Sequence, residues 1–382
     1  MTAAPRSHDV IIVGARVAGS ALAGLLARLG HDVIVVDRAD LPSDTVSTHQ
    51  IARTGMVALG RWNMVDELRS SGSPALREVT FHRAEGSVTR PVRPSCGVEY
   101  FLAPRRYVLD TLLAEAAVRS GAQLRTGLNA IGVRRAGNGR VTGVYGRDRR
   151  GRDVELAAPF VVGADGLHSR IARSVGAEVL DRRPDGGTAQ YAYYTGLPWS
   201  GIEFYVADGV LAGIFPTHDA EACVWFCTPA TSDRRDFDGE LRRVAPDLAR
   251  RLRAGRRTSP IRGMRRSPNH LRRAGGPGWA LVGDAGFHRD PISAHGISDA
   301  FRDAELLADG LDAALCGRVE EPNAMSAYQR QRDAALADIF DLTCALGTFP
   351  PVSDFLDLMR QLGRAIDIEA AALAGRPIHA PA

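Results

Sequence analysis

The sequence predicts an α/β fold with an interleaved antiparallel-sheet domain and helices at the C-terminus. Three observations predict it. The chain begins with a strand–turn–helix–strand unit that ends in an acid, and two later apolar runs also end at an acid beside glycine. Between those two runs lies an aromatic-rich stretch of alternating strands. After residue 323 the apolar residues recur at helical spacing.

The N-terminal unit has the pattern of a Rossmann-type dinucleotide-binding turn. Its apolar spacing predicts a strand, a helix and a second strand, over residues 10–13, 20–29 and 33–36. Gly14 permits a tight turn and Gly19 permits close packing of helix on strand, whereas Arg16 stands where a second glycine is usual. Asp37 ends the second strand, close to the ~20-residue spacing expected for an acid on an adenosine ribose. We therefore expect a dinucleotide here.

A similar polar turn follows the apolar run 280–282. Gly283 and Asp284 close this predicted strand, and from Ile297 the apolar residues return at helical spacing. An acid between a strand end and a helix N-terminus suits a polyol and an anion, because the carboxylate accepts from hydroxyls and free amides face electron-rich oxygen. Asp165 ends another short apolar run in the same way. The chain thus supplies several parts of one nucleotide site.

Composition excludes several classes of function. The 382 residues are 45% hydrophobic and 24% charged, with a net charge of +4, which is ordinary for a globular protein. This charge excess is too small and scattered to predict nucleic-acid binding. Every one of the 48 basic residues is arginine. Because the chain has no lysine, pyridoxal Schiff-base chemistry and P-loop phosphate transfer are excluded.

Cysteine usage and hydropathy predict a reduced, cytoplasmic protein without a metal site. The five cysteines are scattered, and Cys223 and Cys227 have no neighbouring Cys/His pair that would complete a zinc site. The first nine residues contain no apolar signal segment. The longest apolar run, 21–27, is far shorter than the ~20 residues of a membrane span, so no integral membrane association is expected.

Taken together, the turns resemble those of a known enzyme family. Gly14 to Gly19, Asp165 with Ser169, and Asp284 with Pro291 are similar in order and spacing to the class A flavoprotein monooxygenases, the para-hydroxybenzoate hydroxylase-like family. The resemblance covers most of residues 8–315 and is closest to a subgroup found in bacterial secondary metabolism. It implies a Rossmann-type FAD-binding domain interleaved with an antiparallel-sheet substrate domain, plus C-terminal helices.

The resemblance also implies the cofactor-binding residues. FAD would be held along its length by Gly14, Val17, Ala18, Gly19, Asp37, Arg38, Arg53, Arg106, Asp165, Gly283, Asp284, Pro291, Gly296 and Ile297. Within that set, Asp37 would take the adenosine ribose and Asp284 the ribityl chain. Arg53 and Arg106 would serve the pyrophosphate and ribityl region. The amides near Gly296 would face the isoalloxazine and stabilise negative charge there.

The chemistry that the resemblance implies is oxygenation. NADH or NADPH reduces FAD, O₂ adds to the flavin, and a flavin C4a-hydroperoxide oxygenates an aromatic or polycyclic small molecule. Water must be excluded from such an adduct. His49 and His295 are the residues that we expect to act as acid or base, by their position relative to the flavin motifs. Each is also explained as a loop histidine that bonds its own backbone.

The aromatic stretch marks the expected substrate domain. Nine aromatic residues occur between positions 191 and 226. An aromatic sheet face can stack on a planar ring, although the same residues are equally explained as core. We expect an FAD-binding domain over 1–75, 103–180 and 276–320, a substrate-binding sheet domain over 76–102 and 181–275, and a C-terminal helical region over 321–382.

Three alternatives share this fold. Flavin-dependent halogenases rely on a lysine and on a Trp-x-Trp-x-Ile-Pro stretch, and this chain lacks both. Reductases of the geranylgeranyl-reductase type, which saturate prenyl double bonds, remain open. A non-catalytic protein that binds flavin or another ligand also remains open, because a shared fold does not establish turnover.

Overall fold

A computed structural model describes residues 8–47, 49–232 and 236–377. Over these ranges the strands are β1 (Val10–Val13), β2 (Val33–Asp37), β3 (Glu78–Arg83), β4 (Gly86–Pro91), β5 (Gln123–Thr126), β6 (Leu128–Arg135), β7 (Val141–Asp148), β8 (Asp153–Ala157), β9 (Phe160–Gly163), β10 (Val179–Arg183), β11 (Thr188–Thr195), β12 (Ile202–Ala207), β13 (Val210–Pro216), β14 (Ala222–Thr228), β15 (Arg256–Arg257), β16 (Arg262–Arg265), β17 (Asn269–Arg272), β18 (Gly275–Gly276), β19 (Trp279–Leu281) and β20 (Phe287–His288). The α-helices over the same ranges are α1 (Val17–Arg28), α2 (Arg53–Arg61), α3 (Val65–Ser70), α4 (Arg106–Arg119), α5 (Arg170–Val175), α6 (Phe237–Val244), α7 (Pro246–Leu252), α8 (Gly296–Leu315), α9 (Glu321–Gly347) and α10 (Val352–Ala374).

The first sheet has six strands in the order β18-β19-β9-β1-β2-β5. All neighbours pair in parallel except β18 with β19. Strands β1 and β9 are buried along their whole length, as expected for parallel strands covered on both faces. Helices α1, α4 and α8 pack on one face, and the antiparallel sheet β6-β7-β8 packs on the other. The predicted N-terminal unit is confirmed, with its helix beginning at Val17 rather than at residue 20.

The largest sheet is almost wholly antiparallel and carries the aromatic stretch. Its path is β15-β11-β14-β13-β12-β3-β4, and β16 also pairs with β11. Only β12 with β3 is parallel within that path. Because successive side chains point to opposite faces, the sheet has two cores. One contains Tyr191, Tyr193, Phe215 and Trp225 and is covered by α9 and α10, whereas α6 and α7 cover the other. The predicted α/β class with an interleaved antiparallel sheet is confirmed.

Some local elements lie outside the sequence predictions. The run 98–101 forms only the isolated bridges Ser95–Val98 and Leu76–Phe101. Cys96 and Gly97 have φ of 52° and 75°, so the chain reverses immediately before this run. A second three-stranded sheet, β10-β17-β20, was not predicted. The domain boundaries themselves remain a prediction.

The C-terminal helices are long and pack back onto the body of the protein. Helix α9 has 27 residues and α10 has 23. Helix α10 packs against both α2 and α9, and α9 packs against α8. In the described ranges, none of the helices has the length and apolar character that crossing a membrane requires. The C-terminal helical region therefore contacts α8, the helix that begins beside the predicted nucleotide turns.

Candidate active site

A cleft of about 620 Å³ opens at the carboxyl ends of β1, β2 and β9. This edge of an open parallel sheet is where nucleotides bind in such folds. Turns that follow different strands come together here. The predicted residues that line the cleft are Gly14, Val17, Ala18, Asp37, Arg38, Arg106, Asp165, Asp284, Pro291, Gly296, Ile297, His49 and His295. Gly19, Gly283 and Arg53 are predicted residues outside that lining.

The turn after β1 depends on two glycines. Gly14 has a φ of 111°, and a Cβ there would lie 2.4 Å from the carbonyl oxygen of Ala164. A Cβ at Gly19 would lie 1.8 Å from the carbonyl oxygen of Gly14. The turn and the first helical turn of α1 therefore touch backbone to backbone. Val17 and Ala18 begin α1 and line the cleft, where unsatisfied helix N-terminal amides suit a diphosphate.

Asp37 lies at the end of β2 and holds the turns around it. Its Oδ2 accepts a hydrogen bond from the Ala15 amide at 2.8 Å, and its Oδ1 accepts from the Ala39 amide at 2.8 Å. Each carboxylate oxygen keeps a second lone pair that can accept from a ribose hydroxyl. Arg38 lines the same end of the cleft. The position of Asp37 fits the predicted adenosine end.

Arginines give the middle of the cleft a positive lining. Arg106 makes a bidentate pair with Asp110, at 3.0 and 3.1 Å. Burial raises the pKa of the Asp110 carboxyl, and the Arg106 charge opposes that rise. Arg16 also lines the cleft, and its Nη2 lies 3.4 Å from the Ser43 hydroxyl on the loop after β2. Arg106 on α4 and Arg16 before α1 thus bring positive charge to the cleft, which suits a diphosphate.

Arg53 lies outside the cleft lining, and its predicted cofactor contact stays a prediction. Its Nε donates to Asp367 of α10 at 2.7 Å, and its Nη atoms donate to three carbonyls in the segment 93–98. Its guanidinium also lies 5.5 Å from the Phe101 ring centroid. With its donors used in this way, Arg53 anchors the C-terminal helix.

Asp165 lies in the cleft wall but has a capping role that the sequence did not reveal. Its Oδ2 accepts from the amides of Arg170 and Ile171, at 2.6 and 3.2 Å. Its Oδ1 accepts from the Ser169 hydroxyl at 2.5 Å, and Ser169 in turn caps α5 through the Ala172 amide. The carboxylate therefore stabilises the N-terminus of α5. The predicted cofactor contact of Asp165 remains a proposal.

Asp284 contrasts with the other acids of the cleft. It lies in a 3-10 turn after β19, is exposed to the cleft, and makes no hydrogen bond or ion pair with the described residues. Gly283, which precedes it, has a φ of 59°, and a Cβ there would lie 2.9 Å from the Cβ of Ala18. Gly283 therefore brings this turn against α1, and Asp284 offers a free carboxylate to a polyol.

The segment 287–297 closes the other end of the cleft. Asp290 accepts from the amides of Ile292 and Gly187, at 2.8 and 2.6 Å, and so ties this segment to the largest sheet. Pro291 and Ile297 line the cleft, and α8 begins at Gly296. The first turn of this 20-residue helix therefore lies at the cleft, where its dipole favours negative charge.

His49 is a neutral hydrogen-bond donor in the cleft wall. It is 1% exposed, and its Nε2 contacts the Tyr193 hydroxyl, with the two ring centroids 5.5 Å apart. Burial, followed by the charges of Arg106 and Arg105, lowers the pKa of His49 well below its ordinary value. The tautomer of the neutral ring sets the direction of this contact: when the Tyr193 hydroxyl donates to Nε2, Nδ1 carries the hydrogen. That Nδ1 is buried without a partner among the described residues.

His295 is also buried, but its partner is a carboxylate. Its Nε2 lies 2.6 Å from Glu369 Oε2 on α10, and Nδ1 has no partner among the described residues. Burial raises the pKa of Glu369, yet His295 and Arg302 together hold it below its ordinary range. The two histidines predicted as acid or base thus have different partners, a phenol and a carboxylate. Their catalytic role remains a proposal.

Sequence reasoning missed several residues of the site. Glu369 is 74 positions from His295, and Tyr193 is 144 positions from His49, so neither contact has a local pattern. Arg289 and Asn129 line the cleft as well, from the segment after β20 and from β6.

In the described chain, two groups of side chains have metal-ligand spacing. They are His31, Asp312 and Cys316, and His295, Asp299 and Glu369, with the ligand atoms of each group within 4.8 Å. In both groups arginine already pairs with the carboxylates, Arg318 in the first and Arg302 in the second. Guanidinium pairing explains these clusters without an ion.

Several buried polar atoms around the cleft have no partner in the described chain, which fits a polar cofactor. They are His49 Nδ1, His295 Nδ1, Ser293 Oγ, and Arg289 Nε and Nη1. Buried groups of this kind are rarely left unpaired in native proteins. Together with the helix N-terminus, the free Asp284 carboxylate and the Asp37 turn, they match the diphosphate, ribityl and ring portions of FAD.

Comparison with known proteins adds sequence relatives. The family model described as "FAD binding domain" matches residues 7–343. A menaquinone reductase from Mycobacterium tuberculosis is 30% identical over 328 residues, which covers 80% of this chain and 77% of the relative. A digeranylgeranylglycerophospholipid reductase from Methanocella arvoryzae is 25% identical over 340 residues, which covers 87% and 85%.

Solved structures show the same fold. PqsL, a probable FAD-dependent monooxygenase from Pseudomonas aeruginosa, superposes with a TM-score of 0.79 at 24% identity, covering 93% of this chain and all of its own. The flavin-dependent brominase Bmp2 has a TM-score of 0.78 at 18% identity, covering 96% and 98%. At these identities the likeness concerns the fold alone.

Proposed function

The chain belongs to the flavoprotein family defined by this FAD binding domain and is an FAD-dependent oxidoreductase, and from that premise we propose that it is a monooxygenase. The proposed substrate is an aromatic or polycyclic small molecule, used in bacterial secondary metabolism. NADH or NADPH supplies the electrons and O₂ the oxygen atom. We further propose that the protein works in the cytoplasm.

The observation that carries this proposal is an aromatic wall that meets the closed end of the cleft. Tyr191 and Tyr193 lie on the sheet face that also carries Trp225, and their ring centroids are 5.7 Å apart. His49 stacks on Tyr193 and lines the cleft, so the wall and the cleft share a boundary. Ile292, from the segment beside the isoalloxazine end, packs into the same core. Tyr191, Tyr193 and Trp225 are at most 3% exposed and lie behind the cleft lining, so they give the ring end of the cleft an apolar, aromatic backing.

The proposed role of each residue depends on where it lies in the cleft. FAD, when bound, supplies hydride acceptance and oxygen activation. The turns at Gly14 and Asp284 bind and orient it, and the amides of the first turn of α8 favour negative charge at its ring end. The buried side chains of His49 and His295 exclude water there. His49 Nδ1 is buried without a partner among the described residues, and with the hydrogen on Nδ1 the ring would donate to an oxygen of the bound substrate or flavin.

A reductase is the second candidate, and the sequence relatives favour it. Both relatives reported above are reductases, of a menaquinone and of a digeranylgeranyl lipid. Such an enzyme would use the same cleft and the same electron donor, but would pass hydrogen to its substrate without O₂. The fold alone does not separate the two reactions.

Rapid-mixing spectroscopy of the FAD-loaded protein tests the proposal. We expect NADH or NADPH to bleach the flavin without oxygen, and O₂ then to restore it in two phases with a transient absorbance unlike either end state. A single-phase return would contradict the oxygenase proposal and favour the reductase. Flavin that accepts no electrons from either nucleotide would indicate a binding protein.

A further inference from the structure

A cluster of charged side chains is buried where α8 begins. Its members come from three parts of the chain, namely Arg289 after β20, His295, Asp299, Arg302 and Asp303 at the start of α8, and Glu369 on α10. All of these side chains are at most 5% exposed. Ionised groups are rarely this deeply buried unless they are paired, so the pairing within the cluster decides its properties.

Glu369 is the member that connects the cluster to a residue of the cleft. Its Oε2 lies 2.6 Å from His295 Nε2 and also accepts from the Thr54 hydroxyl at 2.7 Å. Its Oε1 is paired with Arg302. The carboxylate is therefore fixed from three directions, and it fixes the imidazole in turn.

The remaining pairs leave the cluster short of one positive charge. Arg289 pairs with Asp299 at 2.6 Å, and Arg302 pairs with Asp299 at 3.0 Å and Asp303 at 2.6 Å. Two guanidiniums thus face three carboxylates, counting Glu369. Arg332 also acts on Asp303, but it pairs with Asp333 at 2.7 Å, so counting both gives three guanidiniums and four carboxylates and the same deficit of one positive charge. An unbalanced buried charge is costly, so one more cation or proton belongs here.

We infer that Glu369 is a positioning residue that holds His295 as a positively charged hydrogen-bond donor at the ring end of the cleft. The proton on His295 balances the cluster, and the short contact with Glu369 occupies Nε2–H. Nδ1–H then has no partner among the described residues, and because His295 lines the cleft this group is available to donate to a bound molecule. The ring-end placement rests on the proposed function, whereas the charge state of His295 does not.

The consequence concerns the electron-rich oxygens of the cofactor. A cation beside a bound flavin stabilises its reduced, negatively charged state, as fixed donors stabilise developing charge in other active sites. The first turn of α8 acts in the same direction through its dipole. The protonated His295 ring adds a full positive charge to the partial positive charge of the helix N-terminus. Glu369, which lies on α10 and 74 positions along the chain, holds that ring in place.

Two other groups compete for the role of balancing the charge. Burial raises the pKa of Asp303, against the charges of Arg302 and Arg332, so a proton on Asp303 would also neutralise the cluster. A metal ion between His295, Asp299 and Glu369 would do the same. Both predict a neutral His295 ring, which makes the ring's charge the decisive observable.

The test uses the full-length, FAD-loaded protein labelled with ¹⁵N-histidine. In wild type at neutral pH we expect both ring nitrogens of His295 in the protonated range, with the signals assigned by their loss in His295→Gln. In Glu369→Gln the ring should become neutral, and Glu369→Asp should restore part of the charge. The reduction potential of the bound flavin should fall in Glu369→Gln and His295→Gln.

The matched control is Glu305→Gln. Glu305 is also a buried carboxylate of α8, paired with Arg61 at 2.9 Å and with the Trp62 indole. Among the described residues it makes no hydrogen bond or ion pair with a histidine, and it lies outside the cleft lining. It should leave the His295 ring and the flavin potential unchanged. An equal drop in potential in Glu305→Gln would reduce Glu369 to a structural residue.

A neutral His295 ring in the wild type would overturn the inference, whatever the variants do. Because that spectrum needs no variant, the test survives a Glu369→Gln protein that fails to fold. The spectrum also needs neither O₂ nor substrate. The charge inference can therefore fail while the monooxygenase proposal stands, and the monooxygenase proposal can fail while the charge inference stands.

Discussion

Replacing Gly19 with alanine is expected to destabilise the nucleotide turn and abolish FAD binding. The added Cβ would lie 1.8 Å from the Gly14 carbonyl oxygen and 3.1 Å from the Ala164 Cβ. The first contact is with backbone, which no side-chain rotation relieves, so α1 must move off β1. Overpacking of this kind costs on the order of 3 kcal/mol or more. We expect a lower melting temperature and a protein that purifies without flavin.

The control for Gly19→Ala is Gly24→Ala on the same helix. A Cβ at Gly24 would meet the Ala117 Cα of α4 at 3.5 Å, an ordinary contact. Alanine is the better helix former by roughly 1 kcal/mol, so Gly24→Ala should be as stable as wild type or slightly more stable. Equal melting temperatures and equal FAD content in the two variants would show that the close approach at Gly19 is not needed.

Asp284→Ala should weaken FAD binding while leaving the fold intact. The carboxylate is exposed to the cleft and has no partner among the described residues, so its removal breaks no contact within that part of the protein. Hydrogen bonds to a charged acceptor contribute roughly 1.5–3 kcal/mol. The dissociation constant for FAD should therefore rise about 10- to 100-fold, as measured by recovery of free-flavin fluorescence on dilution.

Asp208→Ala is the control for that variant. Asp208 is likewise an exposed aspartate, in the turn between β12 and β13, and does not line the cleft. It should bind FAD as wild type does. If Asp284→Ala also retains wild-type affinity, the carboxylate does not meet the ribityl chain and the turn after β19 has another purpose.

Much of the nucleotide-binding half could be predicted because its determinants are local. The turn around Gly14 and Gly19, the acid at Asp37 and the helix that follows Gly296 each lie within a few residues of the strand or helix they serve. The C-terminal region was predicted to be helical from its apolar spacing, and α9 and α10 lie within it.

The remaining features could not be predicted because tertiary contacts decide them. The family resemblance implied a cofactor contact for Arg53, whereas in the structure its guanidinium donates to Asp367 and to three carbonyls of the segment 93–98. The Glu369–His295 contact joins a loop to the C-terminal helix. In each case the partner lies far along the chain, and only the folded backbone brings it close.

The central claim, that this enzyme inserts oxygen, is tested most directly by isotope labelling. The FAD-loaded protein, NADPH or NADH, and an extract of small aromatic metabolites are incubated under ¹⁸O₂, and products are compared by mass spectrometry with a parallel incubation under argon. We predict a product that carries one ¹⁸O atom under ¹⁸O₂ and is absent under argon. A product that forms equally under argon, with two added hydrogens and no label, would contradict the account and identify a reductase.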